Sequence, residues 1–387
     1  MLLKRACLVV LVAAAAGAVV AAASARPATQ ARAAANCGTV TIGMLAPITG
    51  PAASIGGDQL HWAEFFVSQW NKGKHAIKLK LTQGDTQLDP AKASTVAQSF
   101  ASNKGMVGVI GPAGSDEVIA TAPILKRAGL AFVSGSATRV SLSNGKFRGH
   151  FFRVVPNDGV QGPSDVAYMT SKLGVKKGSS VMVVDDQEAY STGLADIVQK
   201  ALRAKGVEVD RESISQKSTD FSSLVAKVSS STKVVFTPFQ LASQAQLLAQ
   251  QLQAQGKRAI VFGSDGTFDS SKFSVAGSYI SFFAPDVTTV KKDAALVRAF
   301  HKAYPGATSP FGAPNYLAAQ AYATAANQLC ARGKKITRAS VRAQLAKTKL
   351  KNTILGGNLA FTRNGDVSGA KFHIFKIQKG GKYVTVA

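Results

Sequence analysis

Residues 105–138 constrain the fold of this chain more than any other stretch. Two apolar runs, 106–110 and 130–133, each break into a loop of glycine and hydroxyl residues: Gly111-Pro112-Ala113-Gly114-Ser115-Asp116, then Ser134-Gly135-Ser136-Ala137-Thr138. A short apolar run bounded by glycines reads as a strand buried on both faces. The amphipathic segment 117–127 between the runs reads as a crossover helix. Strand, helix and parallel strand form the unit of an open α/β sheet, whose ligands bind outside the carboxyl ends of the strands. Ser115 and Asp116 stand where the helix begins, so hydroxyls and unpaired N–H groups converge on a positive helix end that suits a carboxylate or phosphate. Two ordinary βα turns would use the same residue types.

The alternation runs from residue 40 to about 290. Strands are predicted at 40–45, 77–82 and 151–155, with helices at 58–70 and 90–102. Pro156-Asn157-Asp158-Gly159 interrupts the pattern, and a second set follows. Its helices are 162–173, 192–205, 221–228 and 242–255, and its strands 180–184, 207–212, 234–236 and 259–262. Three helices, 294–304, 315–332 and 338–347, and a hairpin of 372–377 with 383–386 complete the chain. The fold class is α/β: two lobes, each a doubly wound parallel sheet, joined by a hinge that the chain crosses more than once. The expected lobes are 38–155 plus 285–368 and 156–284 plus 369–387.

The first 35 residues read as a signal peptide. Lys4-Arg5 precedes an apolar run from Ala6 to Ala23 with small-residue exits at Ala23-Ser24-Ala25 and Ala33-Ala34-Ala35. The alternatives are a retained anchor, or a lipoprotein at Cys7 or Cys37, though neither cysteine follows the apolar-plus-small run of a lipidation site. An exported or cell-envelope protein is expected. Two cysteines remain, Cys37 and Cys330, and in an oxidising compartment an even pair suggests one disulfide; two unpaired thiols are the other reading.

The chain carries 46 Lys+Arg against 21 Asp+Glu, a formal charge of +25. Without Lys4, Arg5, Arg26 and Arg32 it keeps 42 basic against 21 acidic residues, or +21. The lysines are scattered over helix faces and turns without interleaved aromatics, which argues for a solvated surface and against nucleic acid.

Catalytic signatures are absent: there is no G-x-G-x-x-G, phosphate-loop, H-E-x-x-H or G-x-S-x-G motif, and the five histidines share no metal-ligand spacing. No enzyme activity, metal or cofactor is expected. The polar residues at predicted strand ends are instead Ser115, Ser136 and Thr138 in the first set, and Tyr190, Gln240 and Asp265 in the second. Asp265, in Gly263-Ser264-Asp265-Gly266, suits an ammonium group, although an Asx-turn would also place an aspartate there.

In their order, several segments resemble the leucine/isoleucine/valine-binding family of type I periplasmic binding proteins, which feed branched-chain amino acid ABC transporters. They are Ile42-Gly43-Met44-Leu45-Ala46-Pro47-Ile48-Thr49-Gly50-Pro51, Gly84-Asp85-Thr86-Gln87-Leu88-Asp89-Pro90, Val109-Ile110-Gly111, Ser136-Ala137-Thr138, Ala189-Tyr190-Ser191-Thr192-Gly193 and Asp220-Phe221-Ser222-Ser223-Leu224. The resemblance spans 39–378 and implies a clamp closing on an amino acid. Ser115 and Thr138 would hold its carboxylate, Ser136 and Ala137 would offer main chain, Tyr190 would close over it, and Asp265 would pair with its ammonium. Two departures bear on the ligand: Ile55-Gly56-Gly57 stands where many members have an aromatic, and Gln240, next to Phe239, stands where leucine-type binders have Tyr. Ile55, Trp62 and Phe239 are further candidates for lining the cleft. The implied partners are an amino acid or similar small ligand and a membrane ABC permease, with the protein itself a monomer. A receptor for an amide, urea or aromatic acid is the alternative, and a secreted α/β enzyme acting on a small acid a second.

Overall fold

The computed structural model describes residues 36–307 and 309–387; the predicted signal peptide lies outside them. The chain opens with β1 (Thr39–Ala46), α1 (Ala53–Lys72), β2 (Lys78–Asp85), α2 (Pro90–Ser102), β3 (Met106–Ile110), α3 (Ser115–Arg127), β4 (Ala131–Ser134) and β5 (Phe151–Arg153). These five strands form one parallel sheet in the order β2-β1-β3-β4-β5. The order reverses between β1 and β3, which opens a crevice at their carboxyl ends.

A second sheet follows from α4 (Asp158–Lys172), β6 (Ser180–Asp185), α5 (Ala189–Arg203), β7 (Glu208–Ser213), α6 (Ser222–Lys227), β8 (Thr232–Thr237), α7 (Ala242–Ala254), β9 (Ile260–Gly263) and β10 (Tyr279–Phe282). After α8 (Ala294–Ala303), α9 (Ala313–Ala331), α10 (Arg338–Leu345) and the small pair β11 (Lys349–Leu350) and β12 (Leu359–Ala360), strands β13 (His373–Ile377) and β14 (Tyr383–Thr385) join that sheet. Its order is β14-β13-β10-β9-β8-β6-β7. It repeats the first sheet's winding and adds two antiparallel strands at one edge. The chain passes between the sheets three times: after β5, after β10 and before β13.

Burial explains the layers. Every residue of β3 and β6 is buried, as a central strand covered on both faces requires. Helix α1 turns Trp62, Phe65 and Phe66 toward the first sheet's late helices. Trp62 stacks on Phe300 with centroids 3.7 Å apart, and Phe66 meets Tyr316 edge-on at 4.9 Å. Truncating a buried aromatic of this kind costs about 3–5 kcal/mol. The buried alanines of α9 let it approach the sheet closely. There the Tyr322 hydroxyl donates to Ala131 O at 2.8 Å and accepts from Val109 N at 3.1 Å, tying α9 across β3 and β4. A disulfide joins Cys37, ahead of β1, to Cys330 near the end of α9.

Three local differences from the sequence reading have physical causes. Helix α1 begins at Ala53 rather than 58 because Gly56 lies against the preceding loop: a Cβ there would sit 2.2 Å from Pro47 O. The apparent helix breaker at 156–159 holds the start of α4, with the Asn157 side chain accepting from Gly159 N. Strand β10 escaped notice because Tyr279-Ile280-Ser281-Phe282 is short and interrupted by a serine.

Candidate functional site

Both crevices open toward each other, and the loops leaving the carboxyl ends of the strands meet in one cavity. Its wall on the five-stranded side consists of Ile55 from α1, Leu88 after β2, Ala113, Gly114 and Ser115 after β3, and Ser136 after β4. Tyr190, Gln240 and Asp265, which follow β6, β8 and β9, face them together with Phe311.

On the first wall, helix α3 begins at Ser115, so its leading N–H groups have no intrahelical acceptor. Gly111, at φ +97°, lets β3 turn sharply against β1: a Cβ there would lie 2.1 Å from Leu45 O. The Gly114 N–H donates to Glu117 Oε2 at 2.6 Å, which fixes the loop just ahead of Ser115. Burial raises the Glu117 carboxyl to about 7. Ser115 Oγ accepts from Arg139 N at 3.3 Å, while Ser136 Oγ donates to Ala113 O at 2.8 Å and accepts from Gln59 Nε2 at 2.8 Å. Arg153, wholly buried, reaches Ala137 O, Arg139 O, Ser143 Oγ and the Asp366 carboxylate at 2.6–3.0 Å, bracing the loop after β4.

On the opposite wall Asp265 is the lining acid, with further buried acids behind it. The Tyr190 hydroxyl lies 2.6 Å from both Ser264 Oγ and Asp265 Oδ1. Gln161 Nε2 donates to Asp265 Oδ1 at 2.6 Å and to Ser281 Oγ at 3.0 Å. Ser281 Oγ also donates to Asp165 Oδ2 at 3.1 Å. Burial raises Asp265 to about 6 against the pull of its Tyr190 and Gln161 donors. Asp158 rises to about 7 through burial and the nearby Asp265 charge. Asp165 goes well above the usual carboxylate range, mainly by burial. Oδ1 of Asp165 and Oε1 of Gln161 are buried without a hydrogen-bond partner, while Asp158 faces the Thr138 hydroxyl. Unmatched buried acceptors of this kind are costly and call for donors. Asp265, the carboxyl group that does line the cavity, is the one suited to a donor-rich cation such as an ammonium group.

The structure therefore brings Ser115, Ser136, Tyr190, Gln240, Asp265 and Ile55 to one cavity. It places the other candidates elsewhere. Ala137 packs beneath its loop in the apolar core of the first sheet. Thr138 is buried behind the loop, its carbonyl accepting from Asp158 N at 2.9 Å. Trp62 is held in the core by Phe300, and Phe239 packs on Phe221. Sequence reasoning missed Leu88 and Phe311, and the acids behind Asp265. A row of polar residues at helical spacing, Asp158, Gln161 and Asp165 on the buried face of α4, was the available signal. Leu88 follows Gln87 in a left-handed pair, at φ 61° and 53°, which no residue type announces. Neither histidine nor cysteine is among the lining residues.

The sequence profile of the periplasmic binding proteins matches residues 39–382. A curated relative from Brucella abortus (strain 2308), named Leu/Ile/Val-binding protein homolog 1, is 29% identical over 355 residues, 89% of this chain and 92% of its own length. The branched-chain amino acid transporter substrate binding protein LivJ from Streptococcus pneumoniae, solved with isoleucine, shares the fold: its TM-score is 0.78 at 22% identity, covering 90% of this chain and 100% of that one. A fatty acid ABC transporter substrate-binding protein from Thermomonospora curvata gives 0.79 at 19% identity, covering 90% and 91%. With the profile match spanning both sheets, the chain belongs to the periplasmic binding protein family and is a substrate-binding protein, not an enzyme.

Proposed function

We propose that this chain captures an amino acid outside the cytoplasm, between lobes 38–155 plus 285–368 and 156–284 plus 369–387, and hands it to an ABC permease. One observation carries this reading: a hydroxyl and a helix N-terminus at Ser115 line the same cavity as a buried, tyrosine-held carboxyl group at Asp265. The first suits a carboxylate and the second an ammonium, the two charges that every α-amino acid carries on one carbon. Each charge-assisted contact would contribute about 1.5–3 kcal/mol. Ile55, Leu88 and Phe311 form an apolar end for the side chain, and the Leu/Ile/Val-binding name of the Brucella relative agrees with such a guest. Gln240 brings an amide to the same end, so a polar side chain is accommodated too.

The test is to unfold the purified protein and identify what it releases by mass spectrometry. An α-amino acid near one equivalent supports the reading. An acid without an amino group, or turnover of an amino acid mixture, overturns it.

A further inference from the structure

Helix α5 starts at the cavity edge, with Tyr190 in its first turn. Its own N-cap residue, Glu188, makes no side-chain cap. The cap comes instead from the other side of the cleft, where Asp116 Oδ1 accepts from Ala189 N at 2.8 Å. The two contacting residues each adjoin a lining residue, Asp116 next to Ser115 and Ala189 next to Tyr190. Further along the seam, Arg139 Nη1 donates to Thr192 Oγ1 at 3.4 Å.

We propose that Asp116 is a positioning residue of the binding site: reaching from the first lobe, it caps α5, sets Tyr190 against Asp265 and holds the lobes shut. This rests on the reading that the lobes close on a ligand. An aspartate at a helix N-terminus satisfies an orphan N–H and meets the positive end of the macrodipole, so it favours whichever arrangement brings the two together. The groups facing the contact are Glu188 and Asp186 from the β6–α5 loop, Asp116 from α3, and Arg139 from the loop after β4. Asp186 is occupied by Gln240 N at 2.7 Å and Glu188 N at 3.2 Å. Burial, followed by the Asp116 and Asp186 charges, lifts Glu188 to about 7. A neutral Glu188 therefore supports the contact, and an ionised one repels it.

Hydrogen exchange of residues 188–192, measured without and with saturating probe, reads the cap in both states. With L-leucine and L-glutamine as probes, calorimetry reads its effect on affinity and stopped-flow fluorescence the association and dissociation rates. We expect Asp116→Ala to speed exchange at least 10-fold and to weaken the bound probe about 10-fold through faster dissociation, with association unchanged. Asp116→Asn, which keeps the accepting oxygen, should stay within about 3-fold of wild type in both. Glu188→Gln should bind more tightly than wild type at pH 8 and equally at pH 6. Unchanged exchange in Asp116→Ala, or an Asp116→Asn variant as impaired as Asp116→Ala, overturns the proposal. If wild type binds neither probe while exchange responds as expected, the choice of ligand fails and the cap stands.

Discussion

The Tyr190 hydroxyl approaches Asp265 Oδ1 to 2.6 Å, so the residue at the start of α5 and the acid after β9 act as one unit on the cavity wall. Gln161 Nε2 donates to the same oxygen at 2.6 Å. Replacing Asp265 with Asn keeps the shape and removes the charge. Affinity for the amino acid should fall roughly 10- to 150-fold, the equivalent of about 1.5–3 kcal/mol. Tyr190→Phe removes one hydrogen bond to that carboxylate but keeps its charge, and should cost about 1.5 kcal/mol, the lower end of that range. Titration calorimetry on the two variants checks both the values and their order.

Several carboxyl groups titrate high in the folded chain. Asp158, Glu117 and Glu188 stand at about 7, and Asp186 and Asp265 at about 6, each raised first by burial. The folded state thus holds protons that the unfolded chain has released near its ordinary carboxylate values. The resulting stability is fully present below about pH 4 and is lost as pH rises through 6–7. Asp85 and Asp89, held low, act oppositely, but their contribution is complete by about pH 5. The ligand-free protein should therefore melt at a lower temperature at pH 8 than at pH 5. Asp158→Asn should flatten that slope and match wild type at pH 5. Melting curves across the range decide it, and a ligand-free Tm that rises toward pH 8 contradicts it.

Arg153 has no exposed surface, and its partner Asp366 lies 213 residues away in the last passage between the sheets. Arg153→Met leaves Asp366 and two carbonyls without their donor. Losing one member of a buried pair costs about 3–5 kcal/mol. Chemical denaturation should show a loss of that size, whereas a loss below about 1 kcal/mol would mean that the guanidinium is dispensable.

The Cys37–Cys330 disulfide spans a sequence separation of 293 residues and lies at the amino end of β1, away from the cavity at the carboxyl ends of the strands. Cys37→Ser should cost about 2–4 kcal/mol of stability and leave ligand affinity within about 2-fold. Denaturation and calorimetry on one preparation separate the two effects.

Much of this was legible before any coordinates. Fully apolar runs such as 106–110 and 180–184 announce central strands, and the residues that follow them must gather where the winding reverses. Ser115, Tyr190, Gln240 and Asp265 do so. Aromatic type was a poor guide, because Trp62 and Phe239 gain more by packing in the cores than by facing the cleft. Contributions from far along the chain left no local trace: Phe311 arrives from the loop before α9, and Leu88 from a turn set by backbone dihedrals. The acid row on α4 was visible as spacing, but only the fold shows that this face is buried.

Titrating the purified protein with an amino acid panel, and with the deaminated carboxylic acid matching each one, tests the two-walled receptor most directly. At least one amino acid should bind, and removing its amino group should weaken binding more than 100-fold while Asp265→Asn erases most of that preference. A deaminated acid that binds as tightly as its amino acid would contradict the account.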